Sequence, residues 1–179
     1  MNLPNSLTLL RVLLIPLFVI LIINKAFSWA LVTFVLAGIT DAIDGLIARL
    51  AHQRTELGAY LDPIAYKLLL SSAFVTLAII ELIPSWLTVI VVTRDLIILL
   101  GFLMFFLTNH RPKMGPSLIS KVTTFLQISM VILFLLSENY IIPAFVYNVL
   151  IYTVVVFTVI SGTHYIFIGA RILNEKKNH

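Results

Sequence analysis

Three aspartates lie close together in a chain that otherwise carries few charges. Asp41, Asp44 and Asp62 fall near the facing ends of two apolar segments. An ionised carboxylate in an apolar helix is costly and usually marks a functional site. At about 100° per residue, Asp41 and Asp44 share one face of a helix, and Asp62 begins the next helix. Converging carboxylates repel each other, so the arrangement predicts a cation, and all-oxygen ligation suits Mg²⁺, Mn²⁺ or Ca²⁺.

The composition is that of a membrane protein. Of the 179 residues, 60% are hydrophobic and only 11% are charged, with a mean hydropathy of +1.08. Soluble domains carry roughly 25% charged residues, so this class is excluded. We expect one multi-pass domain over residues 1–179. The chain has no cysteine, which excludes thiolate chemistry.

The pattern of apolar runs predicts an all-α integral membrane fold. A helix needs roughly 20 residues to cross a bilayer. Pro16 should separate an interfacial, amphipathic N-terminal helix from the spanning part of the first run. We read that run as a retained helix, not a removed signal peptide. Polar and proline interruptions divide the chain into six transmembrane helices at about 7–24, 29–50, 58–81, 85–108, 117–137 and 142–170.

The basic residues predict the orientation. They gather on one side of the predicted membrane, where Lys and Arg favour the cytoplasm. Lys25 alone lies on the other side, and Trp29 and Trp86 begin helices there as interfacial anchors. Both termini and the aspartates should therefore face the cytoplasm. The net charge of +4 is then explained by basic residues that face the anionic head groups of the lipid bilayer, and no nucleic-acid partner is expected. The cytoplasmic set is Arg11, Arg49, Arg54, Arg111, Lys113, Lys121, Arg171, Lys176 and Lys177.

The spacing of the aspartates resembles the signature of the CDP-alcohol phosphatidyltransferase family, D-x2-D-G-x2-A-R-x8-G-x3-D-x3-D. Only the last position departs, where the family has Asp and this chain has Tyr66. Residues 2–11 and 120–124 also look like the corresponding segments of bacterial phosphatidylglycerophosphate synthases, a branch of that family. The matching positions are Asp41, Asp44, Gly45, Ala48, Arg49, Gly58 and Asp62.

The resemblance implies a reaction. An alcohol attacks the lipid-side phosphorus of CDP-diacylglycerol, CMP leaves, and a phospholipid forms. The resemblance also implies a homodimer in the bacterial cytoplasmic membrane. Its cofactor would be Mg²⁺ or Mn²⁺, with two ions bound, or one because of Tyr66. Glycerol 3-phosphate is the best acceptor, while inositol phosphate, serine and phosphatidylglycerol serve relatives with the same signature.

The resemblance also implies roles for particular residues. The metal would be held by Asp41, Asp44 and Asp62, and Arg94 and Lys121 would bind the acceptor phosphate. Arg111 and Lys113 are weaker candidates, since loop charges on the cytoplasmic side need no such role. The nucleotide and its phosphates would lie against Gly45, Ala48, Arg49 and Gly58.

Tyr66 replaces the residue that the family uses as general base, beside Asp62 in the catalytic site. A phenol has an unperturbed pKa of about 10, against about 4 for a carboxyl, so at neutral pH it is a poor base and a poor metal ligand. Three explanations stay open: an inactivating substitution, a homologue that binds without turnover, or another base. His164, near Ser161 and Thr163, is a candidate for the last, although a buried, hydrogen-bonded histidine is the simpler interpretation.

Two further functions compete with phosphatidyl transfer. A catalytically inactive protein could still bind CDP-lipid, and Tyr66 favours this alternative. An ion or proton transporter could use the intramembrane carboxylates. The chain lacks the inverted repeats and the charges spread over several spans that are typical of transporters, which disfavours this alternative.

Overall fold

The structure, a computed structural model, describes the backbone of residues 3–50, 56–107, 117–138 and 140–175 and the side chains of 10–40, 64–101, 117–138 and 140–170. Within these ranges the fold is all-α, and the prediction of six helices is confirmed. The helices are α1 (Leu3–Ile23), α2 (Phe27–Leu50), α3 (Glu56–Ile79), α4 (Ser85–Leu107), α5 (Leu118–Ser137) and α6 (Ala144–Glu175). Pro16 lies inside α1, so the division of this region into interfacial and spanning parts stays a prediction.

Several hydroxyl side chains within the helices bond to their own helix. The hydroxyl of Thr33 donates to the carbonyl of Trp29, and that of Thr76 donates to the carbonyl of Ser72. Such bonds to the preceding turn satisfy a hydroxyl without water. These residues are therefore compatible with helices in an apolar environment.

Two of the described helices are long and apolar enough to cross a membrane, Leu118–Ser137 and Ala144–Ala170. Only 17% of the spanning window of α6 is buried, and its Phe145 and Phe167 are each about three-quarters exposed. A soluble monomer rarely exposes apolar patches of this extent. Trp29 and Trp86 are also exposed. These features fit a membrane protein, and the six spans stay a prediction.

The chain forms two compact units. The first comprises Met1–Ser85 with Val131–Ile141, and the second comprises Trp86–Met130 with Ile142–His179. In the first unit α1 packs against both α2 and α3. Its core includes Phe18 and Phe34, whose ring centroids are 5.5 Å apart, so one residue pair fixes the level at which α1 and α2 meet.

The second unit contains α4, the first part of α5 and α6. Ser117 caps α5, since the backbone N–H of Ser120 donates to its Oγ at 3.2 Å. Met130 and Val154 contribute buried apolar side chains. The interior of this unit also contains buried polar residues, among them Arg94.

Both α1 and α3 end in the Schellman arrangement, in which a left-handed residue follows the helix. Lys25 (φ 57°) and Glu81 (φ 62°) take this position. After α1, the N–H of Ala26 bonds to the carbonyl of Leu21 at 2.8 Å. After α3, the N–H of Leu82 bonds to the carbonyl of Leu77 at 2.9 Å. Glycine normally occupies this position because side chains are strained there.

We predict that Glu81→Gly and Lys25→Gly each stabilise the protein, because glycine relieves the strain. The effect should be larger at Glu81, since a negative charge at a helix C-terminus opposes the helix dipole while Lys25 favours it. Thermal unfolding in detergent should show a rise in Tm of about 2–4 °C for Glu81→Gly. Glu81→Ala is the control, because it removes the charge and keeps the strain. Equal Tm values for Glu81→Gly and Glu81→Ala would show that the positive φ has no cost.

Candidate functional site

The aspartates predicted to bind metal lie on α2 and α3 of the first unit. Positions 41 and 44 fall in the second half of α2, and position 62 falls in the second turn of α3. Because α2 ends at Leu50 and α3 begins at Glu56, all three positions lie toward the ends of the two helices that residues 51–55 connect. The predicted metal and nucleotide residues lie outside the described side chains; they are Asp41, Asp44, Gly45, Ala48, Arg49, Gly58 and Asp62.

The buried faces of α2 and α3 run toward these positions. In the described part of α2, Ala30, Phe34 and Ala37 are buried, and steps of three or four residues continue this series to positions 41 and 44. In α3, Ala65 and Leu69 are buried, and the same steps lead back to positions 62 and 58. That the motif lies on the inward faces of both helices stays a prediction, because its side chains are outside the described ones.

Tyr66 lies one helical turn after position 62. Its side chain is half-buried, and its hydroxyl oxygen is buried. A phenol can donate or accept a hydrogen bond there, but as a neutral group it contributes little to the binding of a hard cation. The residue that departs from the signature therefore keeps its polar atom inside the protein.

Arg94 is the centre of a polar network in the second unit. The side chain is 3% exposed. Its Nη1 lies 2.7 Å from Oδ1 of Asp95. Its Nη2 donates to the hydroxyls of Ser120 and Ser161, both at 2.6 Å, and Nε also donates to Ser161 at 3.2 Å. One guanidinium thus joins α4, α5 and α6.

These bonds leave Arg94 little capacity for a ligand. A guanidinium has five N–H donors, and four N–H groups are directed at protein oxygens. One Nη1 donor has no bond among the described residues. A phosphate would use that donor or take the place of a serine hydroxyl. The serines therefore both orient Arg94 and compete with a ligand for it.

The other predicted residues of this unit differ in their surroundings. Lys121 is exposed beside buried Ser120, and no described hydrogen bond joins it to Arg94. Asp95, also buried, is the ion-pair partner of Arg94. Arg111 and Lys113 lie outside the described residues.

Three polar residues in the second half of α6, Ser161, Thr163 and His164, each contact a different group. Ser161 contacts Arg94, whereas the hydroxyl of exposed Thr163 bonds to carbonyls of its own helix. His164 is half-buried and stacks edge-on against Tyr165, with ring centroids 6.2 Å apart. The role of His164 as a base stays a prediction.

A second polar contact lies further along α5 and α6, and we did not predict it from the sequence. Gln127 and Thr158 are both fully buried, and Nε2 of Gln127 approaches the hydroxyl of Thr158 at 3.5 Å. The hydroxyl of Thr123 donates to the carbonyl of Phe157 at 3.1 Å. Interhelical bonds of this kind hold helices together where apolar burial contributes little.

Arg11, one of the basic residues predicted to lie on the cytoplasmic side, is fully buried within the protein. On α1 it falls on the same face as buried Phe18 and Ile22, seven and eleven residues further on. Arg11 lies in register with the apolar residues of one face of α1, and this pattern in the sequence could have predicted that its side chain is buried. The side of the membrane on which Arg11 lies stays a prediction.

Comparison with known proteins identifies the family. The sequence model of the CDP-alcohol phosphatidyltransferase family matches residues 1–160. The chain is 38% identical over 146 residues to human cardiolipin synthase (CMP-forming), covering 73% of this chain and 48% of that protein. It thus spans about half the length of the first curated relatives that it matches.

Two bacterial relatives are covered more fully, and both carry the name CDP-diacylglycerol–glycerol-3-phosphate 3-phosphatidyltransferase. The protein of Bacillus subtilis is 31% identical over 143 residues, with 71% of this chain and 72% of the relative covered. That of Wigglesworthia glossinidia brevipalpis is 34% identical over 149 residues, covering 79% of this chain and 81% of the relative. The chain therefore belongs to the CDP-alcohol phosphatidyltransferase family and is related to the phosphatidylglycerophosphate synthases.

Proposed function

We propose that this protein transfers a phosphatidyl group from CDP-diacylglycerol to an alcohol, with glycerol 3-phosphate as acceptor and CMP as the leaving group. The observation that carries the proposal is the set of seven matching motif residues toward the connected ends of α2 and α3, within the segment that matches the family. The names of the bacterial relatives support this choice of acceptor.

The six helices are proposed to span the bacterial cytoplasmic membrane, with both termini and the motif on the cytoplasmic side. The apolar exterior of α5 and α6 supports the spans. The basic residues support the orientation. In this arrangement the nucleotide and a soluble acceptor reach the site from the cytoplasm, while CDP-diacylglycerol reaches it from the bilayer. We further propose that the protein acts as a homodimer.

The donor set Asp41, Asp44 and Asp62 fits Mg²⁺ or Mn²⁺, since all its ligand atoms are carboxylate oxygens. When bound, the ion neutralises the diphosphate and favours departure of CMP. Gly45, Ala48, Arg49 and Gly58 are proposed to accept the nucleotide and its phosphates. The small residues leave room for close approach, and Arg49 supplies a planar donor for phosphate oxygens.

Arg94 and Lys121 are proposed to hold the acceptor phosphate. Arg94 supports this role because Ser120 and Ser161 orient its guanidinium before any ligand arrives. Lys121 supports it because its ammonium is exposed, next in sequence to Ser120. The buried guanidinium of Arg94 and the exposed ammonium of Lys121 would then bind the same phosphate.

Tyr66 is proposed to limit turnover. The acceptor hydroxyl must lose its proton as it attacks phosphorus, and a neutral phenol accepts that proton poorly. Asp62 is proposed as the other catalytic residue. Because the fourth carboxylate of the family motif is absent, the site should also bind metal more weakly and hold one ion instead of two. A homologue that binds CDP-lipid without turnover is the limiting case.

A second acceptor, phosphatidylglycerol, has specific support. Cardiolipin synthases (CMP-forming) of human, rat and Drosophila melanogaster are 35–38% identical to this chain over 145–146 residues. The donor and the motif residues would be the same. Only the acceptor differs, and it would then be a lipid.

We predict that Tyr66→Asp increases CMP release from CDP-diacylglycerol by about 10²–10⁴-fold, because it restores the general base. The measurement is CMP release in mixed micelles with Mg²⁺ or Mn²⁺, with glycerol 3-phosphate and phosphatidylglycerol tested separately. Chelation of the metal should abolish the activity. Tyr66→Asn, which adds no carboxylate, is the matched control. Equal rates for the unchanged protein and Tyr66→Asp would mean that the base lies elsewhere, and no release with either acceptor would contradict the proposed function.

We predict that Lys121→Ala and Arg94→Lys each raise the KM for glycerol 3-phosphate by about 10-fold or more, because each removes a charge-assisted bond to phosphate. The KM for CDP-diacylglycerol should change little. Both are measured by CMP release, in the Tyr66→Asp background if turnover requires it. Lys176→Ala is the control, since it removes a charge of the same sign that has no proposed role in the site. An unchanged KM in both Lys121→Ala and Arg94→Lys would refute binding of a phosphorylated acceptor here.

A further inference from the structure

A line of buried polar side chains runs along α5. Ser120, Thr123 and Gln127 follow one another at steps of three and four residues, so they share one face of the helix. Ser120 is almost completely buried, and the other two are completely buried. Helices α5 and α6 are both long and apolar enough to cross a membrane, and polar side chains in such helices need partners within the protein.

The partners of this line lie on α6 and on Arg94, within one compact unit. Nη2 of Arg94 donates to the hydroxyls of Ser120 and Ser161, both at 2.6 Å. One turn further along α5, the hydroxyl of Thr123 donates to the carbonyl of Phe157 at 3.1 Å. Residue numbers therefore rise along α5 while they fall along α6. The two helices run antiparallel here, with Ser120 and Ser161 at one level.

Gln127 is the member of the line that depends most on α6. The hydroxyl of Thr123 also bonds within its own helix, to the carbonyl of Ile119 at 2.8 Å. Among the described residues, the amide of Gln127 has one bond, from Nε2 to the hydroxyl of Thr158 at 3.5 Å, and its buried Oε1 has none. A long side chain on a helix points back toward the N-terminus. Gln127 therefore reaches Thr158, the residue next to Phe157.

The amide of Gln127 contributes little to stability. A buried polar atom without a partner is destabilising, and a hydrogen bond of 3.5 Å compensates poorly for that cost. An apolar residue of similar volume, such as methionine, would fill the same space without the cost. Buried polar residues can nevertheless fix the register between two helices, although they lower stability. Apolar side chains discriminate less between registers, because lipid tails solvate them equally well.

We propose that Gln127, through Thr158, sets the register between α5 and α6 and so positions the two serines that hold Arg94. A slip between the helices would move Ser120 away from Ser161, and Nη2 of Arg94 could no longer bond to both. Gln127 is then a positioning residue for the acceptor phosphate, a role that rests on the proposed function. The register itself does not depend on that function.

Distances between spin labels test the register without enzyme activity. The chain has no cysteine of its own, so labels can be attached at Leu118→Cys in α5 and Phe145→Cys in α6, both of which are exposed positions. With residues 120 and 161 at one level, the two labelled positions should lie about 27 Å apart along the helix axes, at about 1.5 Å per residue.

Double electron–electron resonance should give one narrow distance distribution for this labelled pair. Gln127→Met and Thr158→Val should each broaden it, because each removes the contact that fixes the register. Thr153→Val is the matched control and should leave the distribution narrow, since the Thr153 hydroxyl is exposed and bonds to its own helix. Equally narrow distributions in the unchanged protein, Gln127→Met and Thr158→Val would overturn the proposal.

Kinetics test the consequence for the site. Gln127→Met should raise the KM for glycerol 3-phosphate about 5-fold or more, because Arg94 is held less firmly. The KM for CDP-diacylglycerol should not change, and the Tm should not fall. Thr158→Val should act in the same way, and the double variant should be no worse than Gln127→Met alone. The measurement is CMP release, in the Tyr66→Asp background if turnover requires it.

Thr158→Ser, which keeps the hydroxyl, should have the KM of the unchanged protein, and so should Thr153→Val. A lower Tm with an unchanged KM in Gln127→Met would mean that Gln127 only stabilises the fold, which would overturn the positioning role.

The two measurements separate the register from the function. Suppose that neither the unchanged protein nor Tyr66→Asp releases CMP, while the distance distribution broadens in Gln127→Met. That combination would refute the proposed function and keep the register. A protein with turnover whose distances and KM do not respond to Gln127→Met would refute the register proposal alone.

Discussion

The compensation of buried charge is the constraint on which this protein depends. A chain with so few charged residues places two of its arginines, Arg11 and Arg94, in the interior. In each unit the arginine lies where helices meet: Arg94 joins α4, α5 and α6 through one carboxylate and two hydroxyls, and Arg11 lies on the face of α1 that contains Phe18 and Ile22. Loss of a partner would leave a charge in apolar surroundings, so these positions constrain the packing more tightly than apolar contacts do.

The same constraint relates the fold to the proposed chemistry. Phosphoryl transfer depends mostly on positioning and on neutralising charge, so a site for it needs fixed ionic groups inside an otherwise apolar protein. In the second unit, the bonds that hold Arg94 also preorganise it for a phosphate. The serines that accept its N–H groups leave it few free donors, so its affinity for a ligand depends on their reorganisation. Lys121, which is exposed, has no such restriction.

The sequence predicted the helices well because they follow directly from uninterrupted apolar runs. All six were located, and α6 differed most, continuing to Glu175 because Arg171 and the following residues do not break a helix. The burial of Arg11 was not predicted, because the positive-inside rule counts basic residues by their position in sequence and does not register the face on which they lie. The Gln127–Thr158 contact was missed because it depends on the register between α5 and α6, which neither helix encodes alone.

The aspartates of α2 and α3 are proposed to form a divalent metal site, and the binding of Mn²⁺ measures that site directly. We would titrate the purified protein with Mn²⁺ in the presence of CDP-diacylglycerol and follow the free ion by electron paramagnetic resonance. We expect saturable binding of one or two ions that is lost in Asp44→Asn and retained in Glu138→Gln, which alters an exposed carboxylate outside the motif. Equal Mn²⁺ affinity in the unchanged protein and Asp44→Asn would contradict it.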